Sequence, residues 1–351
     1  MKKTKILMSL LLIMLLTASV FTGCGGGGSS DSSDNSAGPT YQWRLGTQEA
    51  EGVPLTISAH AFADAVRDLS AGDIEITVYP SNQLGGYEQT FDEIKMGTIE
   101  LGWLSGSSMF DPMIDIQGIP YLVENWDQAR KLWSDRDGYI YKKWDETMQN
   151  QGVKLLGISP AGFLGCGGRN FGDLNTVFDS TVKHDALIRV PPMELAVQIV
   201  QALGYRTTTI PYADLYPALQ TGVADGWYGG SATLNYESFR DVIDIFIDYK
   251  YLFEIMGMFM NEDLFDSLPA DVQDLLVQAA IDEQARAFDY YEAYAEDGYK
   301  ALEDYGINVM YPTDEEMKAI AADVRAKVYP GLDDMFGADV MKGILDQVNS
   351  L

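Results

Sequence analysis

Cysteine and histidine are scarce: the chain carries two of each, Cys24 and Cys166, His60 and His184. Stability must therefore come from a packed core rather than from disulfide staples. Neither histidine has a cysteine or histidine at metal-ligand spacing, and no zinc-type motif is present. Basic residues are also few, 24 Lys and Arg against 52 Asp and Glu, for a formal charge of −28. Binding phosphate needs clustered Lys and Arg, so nucleic acid and anionic lipid surfaces are poor partners for this chain. The acidic excess does not reveal the charge of a ligand, because a buried arginine can hold an anion inside an acidic protein. No G-x-S-x-G elbow occurs. The glycine-rich residues 163–170 lack the spacing, the helix start and the downstream acid of a dinucleotide fingerprint. A Ser-His-Asp set assembled from distant segments stays open. Acidic pairs abound at this composition and carry no catalytic weight. No internal repeat and no cofactor motif is found.

What is present begins with the first 24 residues. Lys2, Lys3 and Lys5 precede a mostly apolar run over 6–20, near the length of an export-signal core and short for a membrane span. Phe21-Thr22-Gly23-Cys24 reads as a lipobox, after which Cys24 is lipidated and becomes the new N-terminus; the alternative is an ordinary cleaved signal with an incidental cysteine. Residues 25–40 are rich in Gly, Ser and Asp and read as a flexible tether. The remaining length of this 351-residue chain, 46% hydrophobic, suffices for two lobes with packed cores.

Alternation predicts strands over 41–47 and 74–79, with a helix over 56–69 between them, hence a parallel, right-handed crossover. Residues 80–105 supply a loop, a helix stopped at Gly97 and a third strand. Residues 126–150 read as helical and 153–158 as a buried strand; 163–170 reads as a loop carrying Arg169. A strand then ends on Arg189, where Pro191 and Pro192 stop it. Apolar residues at helical spacing follow to Leu203, closed by Gly204. A strand over 207–210 leads through Pro211 and Tyr212 into a helix stopped by Gly222. The turn Asp225-Gly226 opens Trp227-Tyr228-Gly229-Gly230. Beyond it the pattern predicts a helix over 233–240, strands over 242–247 and 252–260, a long helical region over 271–305, a strand over 307–310 and helices over 314–349.

Arg189 ends an apolar strand, where a guanidinium is costly to bury without an anion, and its planar fork matches a carboxylate. In open α/β sheets, ligands sit at the carboxyl ends of strands.

The stretch from 187 to 230 carries a linked series of motifs: Ile188-Arg189-Val190-Pro191, Ala202-Leu203-Gly204, Pro211-Tyr212, Leu215-Tyr216, Ala218-Leu219-Gln220-Thr221-Gly222 and Asp225-Gly226. A second block holds Pro80, Gln83-Leu84-Gly85, Gly97 and Ile99. On these residues the chain resembles the solute receptors of tripartite ATP-independent periplasmic (TRAP) transporters, the DctP-type family, over roughly 41–345. The match is thin at 171–186 and beyond 310. The resemblance implies a two-lobed α/β fold like periplasmic binding proteins, with a ligand cleft between lobes and long connecting helices. The expected first lobe is 41–166, completed by about 253–310. The second is 167–252, with 311–351 packing across both. The implied function is extracytoplasmic capture of a small organic acid, with delivery to a small and a large membrane subunit, without catalysis. Alternatives are a receptor for another transporter or sensor class, or an extracytoplasmic α/β hydrolase.

The resemblance also assigns residues. Arg189 matches the arginine that clamps the ligand carboxylate, and Arg169 a second ligand arginine found in many members. Tyr212 takes the place of an aromatic that packs on the ligand. Gln48 and Glu49 after the first strand, and Trp103 and Ser105 at the end of the third, fall where members contact ligand. Trp227, Tyr228 and Gly229 depart from the family pattern: an asparagine that bonds the ligand falls on Gly229. The expectation is a pocket for a bulkier or aromatic acid, with glycine leaving room and Trp227 offering a stacking face. Glu254 is a single carboxylate that a cation-binding branch would use; on its own it makes no ligand cluster.

Overall fold

The computed structural model describes residues 38–351. The leader, Cys24 and most of the tether lie outside the described residues. Residues Pro39–Leu351 form one compact unit built on two sheets.

The first sheet grows from β1 (Tyr41–Thr47), whose central residues Trp43 and Leu45 are buried. The helix Pro54–Leu69 returns the chain to β2 (Ile74–Tyr79), paired parallel with β1. Phe62 and Val66 of that helix are fully buried against the sheet. The helix Tyr87–Lys95 leads to β3 (Leu101–Leu104), parallel to β1 on its other side. The helical residues 126–150 fall into two helices, Trp126–Ser134 and Tyr139–Gln149. β4 (Val153–Phe163) closes the sheet edge.

The chain then enters the second sheet through β5 (Cys166–Gly168), inside the stretch expected to be a loop. Two glycines hide this strand from any side-chain pattern. Its backbone pairs antiparallel with both β8 and β9 once those form. β6 (Leu187–Val190), β7 (Arg206–Thr209) and β8 (Gly226–Tyr228) follow, with β6 parallel to both β7 and β8. The Asp225-Gly226 pair is a staple for this register. The Asp225 carboxylate accepts from the Leu187 N–H at 2.7 Å, and a Cβ on Gly226 would lie 2.8 Å from the Phe171 ring. β9 (Ile245–Ile247) ends the passage through the second sheet.

β10 (Phe253–Asn261) returns to the first sheet and inserts antiparallel between β3 and β4. Its pairing with β4 slips between Glu254 and Ile255, a bulge beside the site described below. The helix Ala270–Tyr305, 36 residues and about 54 Å long at 1.5 Å per residue, packs on β4 and then delivers β11 (Asn308–Met310). β11 pairs with β9, so the strand expected to complete the first lobe belongs to the second sheet. The helix Asp314–Phe336 bonds both sides: Tyr329 donates to the Pro120 carbonyl at 2.8 Å, and Lys327 to the carbonyls of Ser180 and Ala202 at 3.0 Å.

Candidate functional site

The parallel strands of both sheets point their carboxyl ends at one cleft of about 700 Å3, measured out to its open mouth. Within it about 70 Å3 is open to the centres of water-sized groups, so the cleft stands largely closed. Gln48 and Glu49 follow β1, Ser105 follows β3, Arg189 lies in β6, Tyr212 follows β7, Trp227 and Tyr228 end β8 and Gly229 follows it; all line the cleft.

Arg189 is 2% exposed. Ile188 and Val190 alternate into the opposite core, which turns the arginine toward the cleft. Its Nε donates to the Ile210 carbonyl at 2.7 Å, while Nη2 is buried without a partner among the described residues. A buried donor left unpaired costs about 1–3 kcal/mol, more when charged. Burial lowers its pKa, opposed by the charge of the groups around it. Just beyond, the helix Glu194–Ala202 starts at the cleft with Met193 as its N-cap, which makes no capping bond; Met193, Leu195 and Ala196 line the wall. A helix N-terminus and a guanidinium together form a receptor for an anion.

The facing wall is acidic. Gln48 and Ser105 hold each other: Gln48 Nε2 donates to Ser105 Oγ at 3.1 Å, and the Ser105 N–H donates to Gln48 Oε1 at 3.0 Å. Glu49 is 3% exposed and accepts from the Tyr212 hydroxyl at 3.2 Å, a bond from one sheet's loops to the other's. Burial raises the Glu49 pKa to about 7, against the lowering effect of its bonds from Tyr212 and Gln48. Glu254 is raised to about 8 by burial and by the charge of Glu49, with Arg189 opposing. Burial pushes the phenols of Tyr87, Tyr212 and Tyr228 well above the ordinary tyrosine range, so they remain donors.

Trp227 is 2% exposed, packed on Phe239 at 4.7 Å between ring centres, with Nε1 donating to Asn235 Oδ1 at 3.0 Å. A Cβ on Gly229 would stand 2.7 Å from this indole and one on Gly230 2.6 Å. The indole fills the space next to Gly229, and both residues line the cleft. Tyr228 stacks on Tyr251 at 4.7 Å.

Two expected residues are elsewhere. Trp103 is fully buried, edge-on to Phe62, because β3 alternates its side chain toward the helix Pro54–Leu69. Arg169 follows β5, which runs opposite to β8, so it emerges at the Gly226 end of the sheet, away from the cleft. Its side chain is 41% exposed and reaches the carbonyls of Gln220 and Asp241 at 3.4 and 3.3 Å. Tyr87, Gln117 and Met256 line the cleft and were not singled out from sequence. Tyr87 had a signal, as the first helical residue after the Gln83-Leu84-Gly85 turn. Asn235 was also missed: besides Trp227 it bonds the carbonyls of Gly230 and Ser231 at 3.2 and 3.0 Å. Among the described residues no group of three His, Cys, Asp or Glu is placed to hold a metal ion.

The strand ends of the two sheets thus meet at a cleft that sets one buried arginine against two acids, Glu49 and Glu254. The chain belongs to family 7 of the bacterial extracellular solute-binding proteins, the DctP family, whose model matches residues 45–331. It is similar to a solute-binding protein of Roseobacter denitrificans, 24% identical over 84% of this chain and 90% of that one. In structure it resembles the sugar acid binding protein of Advenella mimigardefordensis in complex with galactonate, at TM-score 0.81 and 23% identity over 89% of this chain and 99% of the other. It also resembles a TRAP periplasmic solute binding protein of Desulfovibrio salexigens with bound orotic acid, at TM-score 0.80 and 22% identity over 88% and 99%.

Proposed function

We propose that this protein is the extracytoplasmic receptor of a TRAP transporter, that it captures a small organic acid on Arg189, and that it hands the acid to the transporter's membrane subunits. The observation that carries the reading is the buried Arg189 Nη2, at the wall of the cleft without a partner among the described residues and close to an uncapped helix start. Relatives of similar fold hold galactonate and orotic acid, both carboxylates, which supports an acid here. The receptor works by stoichiometric binding: the cleft closes on the acid, and the Tyr212–Glu49 bond is one contact that closure makes across it. In this reading one lobe is 41–166 with the returning strand β10, and the other is 167–252 with β11. Cys24 anchors the chain to the membrane by lipid, and 25–40 is the tether.

A thermal-shift screen of organic acids on the native chain and on Arg189→Ala tests this. An acid class that raises the melting midpoint of the native chain only is the expected result. Equal shifts in both proteins would make Arg189 structural.

A further inference from the structure

On the far side of Glu49 and Glu254 lies a second, smaller chamber, with about 40 Å3 open to the centres of water-sized groups. Glu49, Leu234, Glu254 and Met256 line both spaces. The annex adds Trp126, Tyr291 and Tyr294, three aromatic side chains from two helices. Among the residues lining the two chambers Arg189 is the one cation, and Glu49 and Glu254 are the two carboxylates. The bulge between Glu254 and Ile255 places Glu254 at the join.

Charge decides what fits. A simple acid on Arg189 leaves three carboxylates around one guanidinium. Buried like charges are costly, and that surplus must be met by protonation or by a cation. A cation brought by the solute meets it directly. Carboxylates beside aromatic faces are the surroundings in which an ammonium or guanidinium group is held, by charge and by the ring quadrupole together.

We propose that the solute is a zwitterion, a carboxylate joined to an organic cation, lying with its carboxylate on Arg189 and its cation between Glu49, Glu254 and the rings of the annex. The proposal rests on the receptor reading above and narrows its substrate class. Glu49 and Glu254 are the residues that set the preference for a zwitterion over a dicarboxylate. In the solute-free protein burial raises the pKa of both groups and so favours their protonated forms; a bound cation would draw both back to carboxylates.

The test is calorimetric titration of the full chain, stripped of bound solute by unfolding and refolding. The probes are γ-aminobutyrate, δ-aminovalerate, ε-aminocaproate, lysine and arginine, set against succinate, glutarate, adipate and galactonate. At least one zwitterion should bind about tenfold or more tighter than every acid. Glu254→Gln should remove most of that preference, with Glu254→Asp retaining part of it, while Arg189→Ala should weaken zwitterion and acid alike. Acids binding as tightly as zwitterions, or a preference untouched by Glu254→Gln and Glu49→Gln, would overturn the proposal. If acids alone bind and Arg189→Ala abolishes it, the zwitterion class falls and the receptor reading stands. If no probe binds in an Arg189-dependent way, both fall.

Discussion

Arg189 and Arg169 are the same residue type in the same sheet, with only β8 standing between their strands, yet their surroundings are opposite. Arg189 is 2% exposed and faces the cleft; the Arg169 side chain is 41% exposed and faces solvent and two carbonyls. Strand direction makes the difference. β6 runs parallel to β8 and carries its arginine toward the cleft, whereas β5 runs antiparallel and ejects the next residue at the other end. A charge at a strand end acquires a functional surrounding only at the carboxyl end of a parallel strand, where loops and helix starts converge.

The sharpest way to break this comparison is Arg189→Ala. Affinity for the bound acid should fall about 100-fold or more, the scale of removing one partner of a buried charge pair. Arg189→Lys should recover part of it, since a lysine restores the charge without the planar fork. A loss below fivefold in Arg189→Ala, read by calorimetry, would place the anion elsewhere.

The next effect is on the wall beside Arg189. Asn235→Ala removes the acceptor of the Trp227 indole and the donor to the Gly230 carbonyl, both buried, and the donor to the partly buried Ser231 carbonyl. Unpaired groups of this kind cost about 2–4 kcal/mol together. The melting midpoint should drop by roughly 5 °C. If it does not, the Trp227–Asn235 pair does not hold the Gly229-Gly230 turn.

The same contrast explains what was legible in the sequence. The bounds of the strands over 41–47 and 74–79 are those of β1 and β2; the second alternates buried and exposed side chains over its first four residues, and the first ends on three buried ones. The Arg189 strand was readable because Pro191 and Pro192 end it and apolar neighbours flank the arginine. β5 was not, because Cys166-Gly167-Gly168 has no side-chain period. Its glycines are required by close approach: a Cβ on Gly167 would lie 2.1 Å from Asn235 Oδ1. Missing that strand left Arg169 in a loop, and its assignment to the ligand came from the resemblance alone. Trp103 failed for another reason. Alternation pairs it with Leu101, but which face of β3 meets a helix is decided by packing across the sheet. Both acids of this wall were named from the sequence, Glu49 at the site and Glu254 as a single carboxylate, but the pairing slip beside Glu254 is visible only in the sheet.

On that acidic wall the expected effect is smaller and depends on pH. Glu254 has a folded pKa of about 8, above the ordinary glutamate value of 4.5. A raised pKa stabilises the fold fully below the unfolded value, and the benefit is lost as pH rises through the folded one. Glu49, raised to about 7, acts in the same direction. The melting midpoint of solute-free protein should therefore fall between pH 5 and 8.5. Glu254→Gln should flatten that fall, with a larger gain at pH 8.5 than at pH 5. Parallel curves for the two proteins would show that Glu254 titrates normally.

The smallest expected effect belongs to Arg169→Ala, and it bears most directly on the opening contrast. The Arg169 guanidinium bonds two carbonyls at 3.3 and 3.4 Å and lies 3.9 Å from an Asp244 carboxylate that is 74% exposed. Exposed pairs of this geometry contribute about 0–1 kcal/mol. The melting midpoint should move by no more than about 2 °C. Solute affinity should stay within about twofold, because no atom of Arg169 lines the cleft. Raising the ionic strength should leave the mutant's small stability loss smaller still, since screening already weakens the native contact. A tenfold loss of affinity in Arg169→Ala would mean that the solute-bound sheet differs from this one, with β5 released from β8 so that the arginine can reach the cleft. Strand direction would then not be what separates the two arginines.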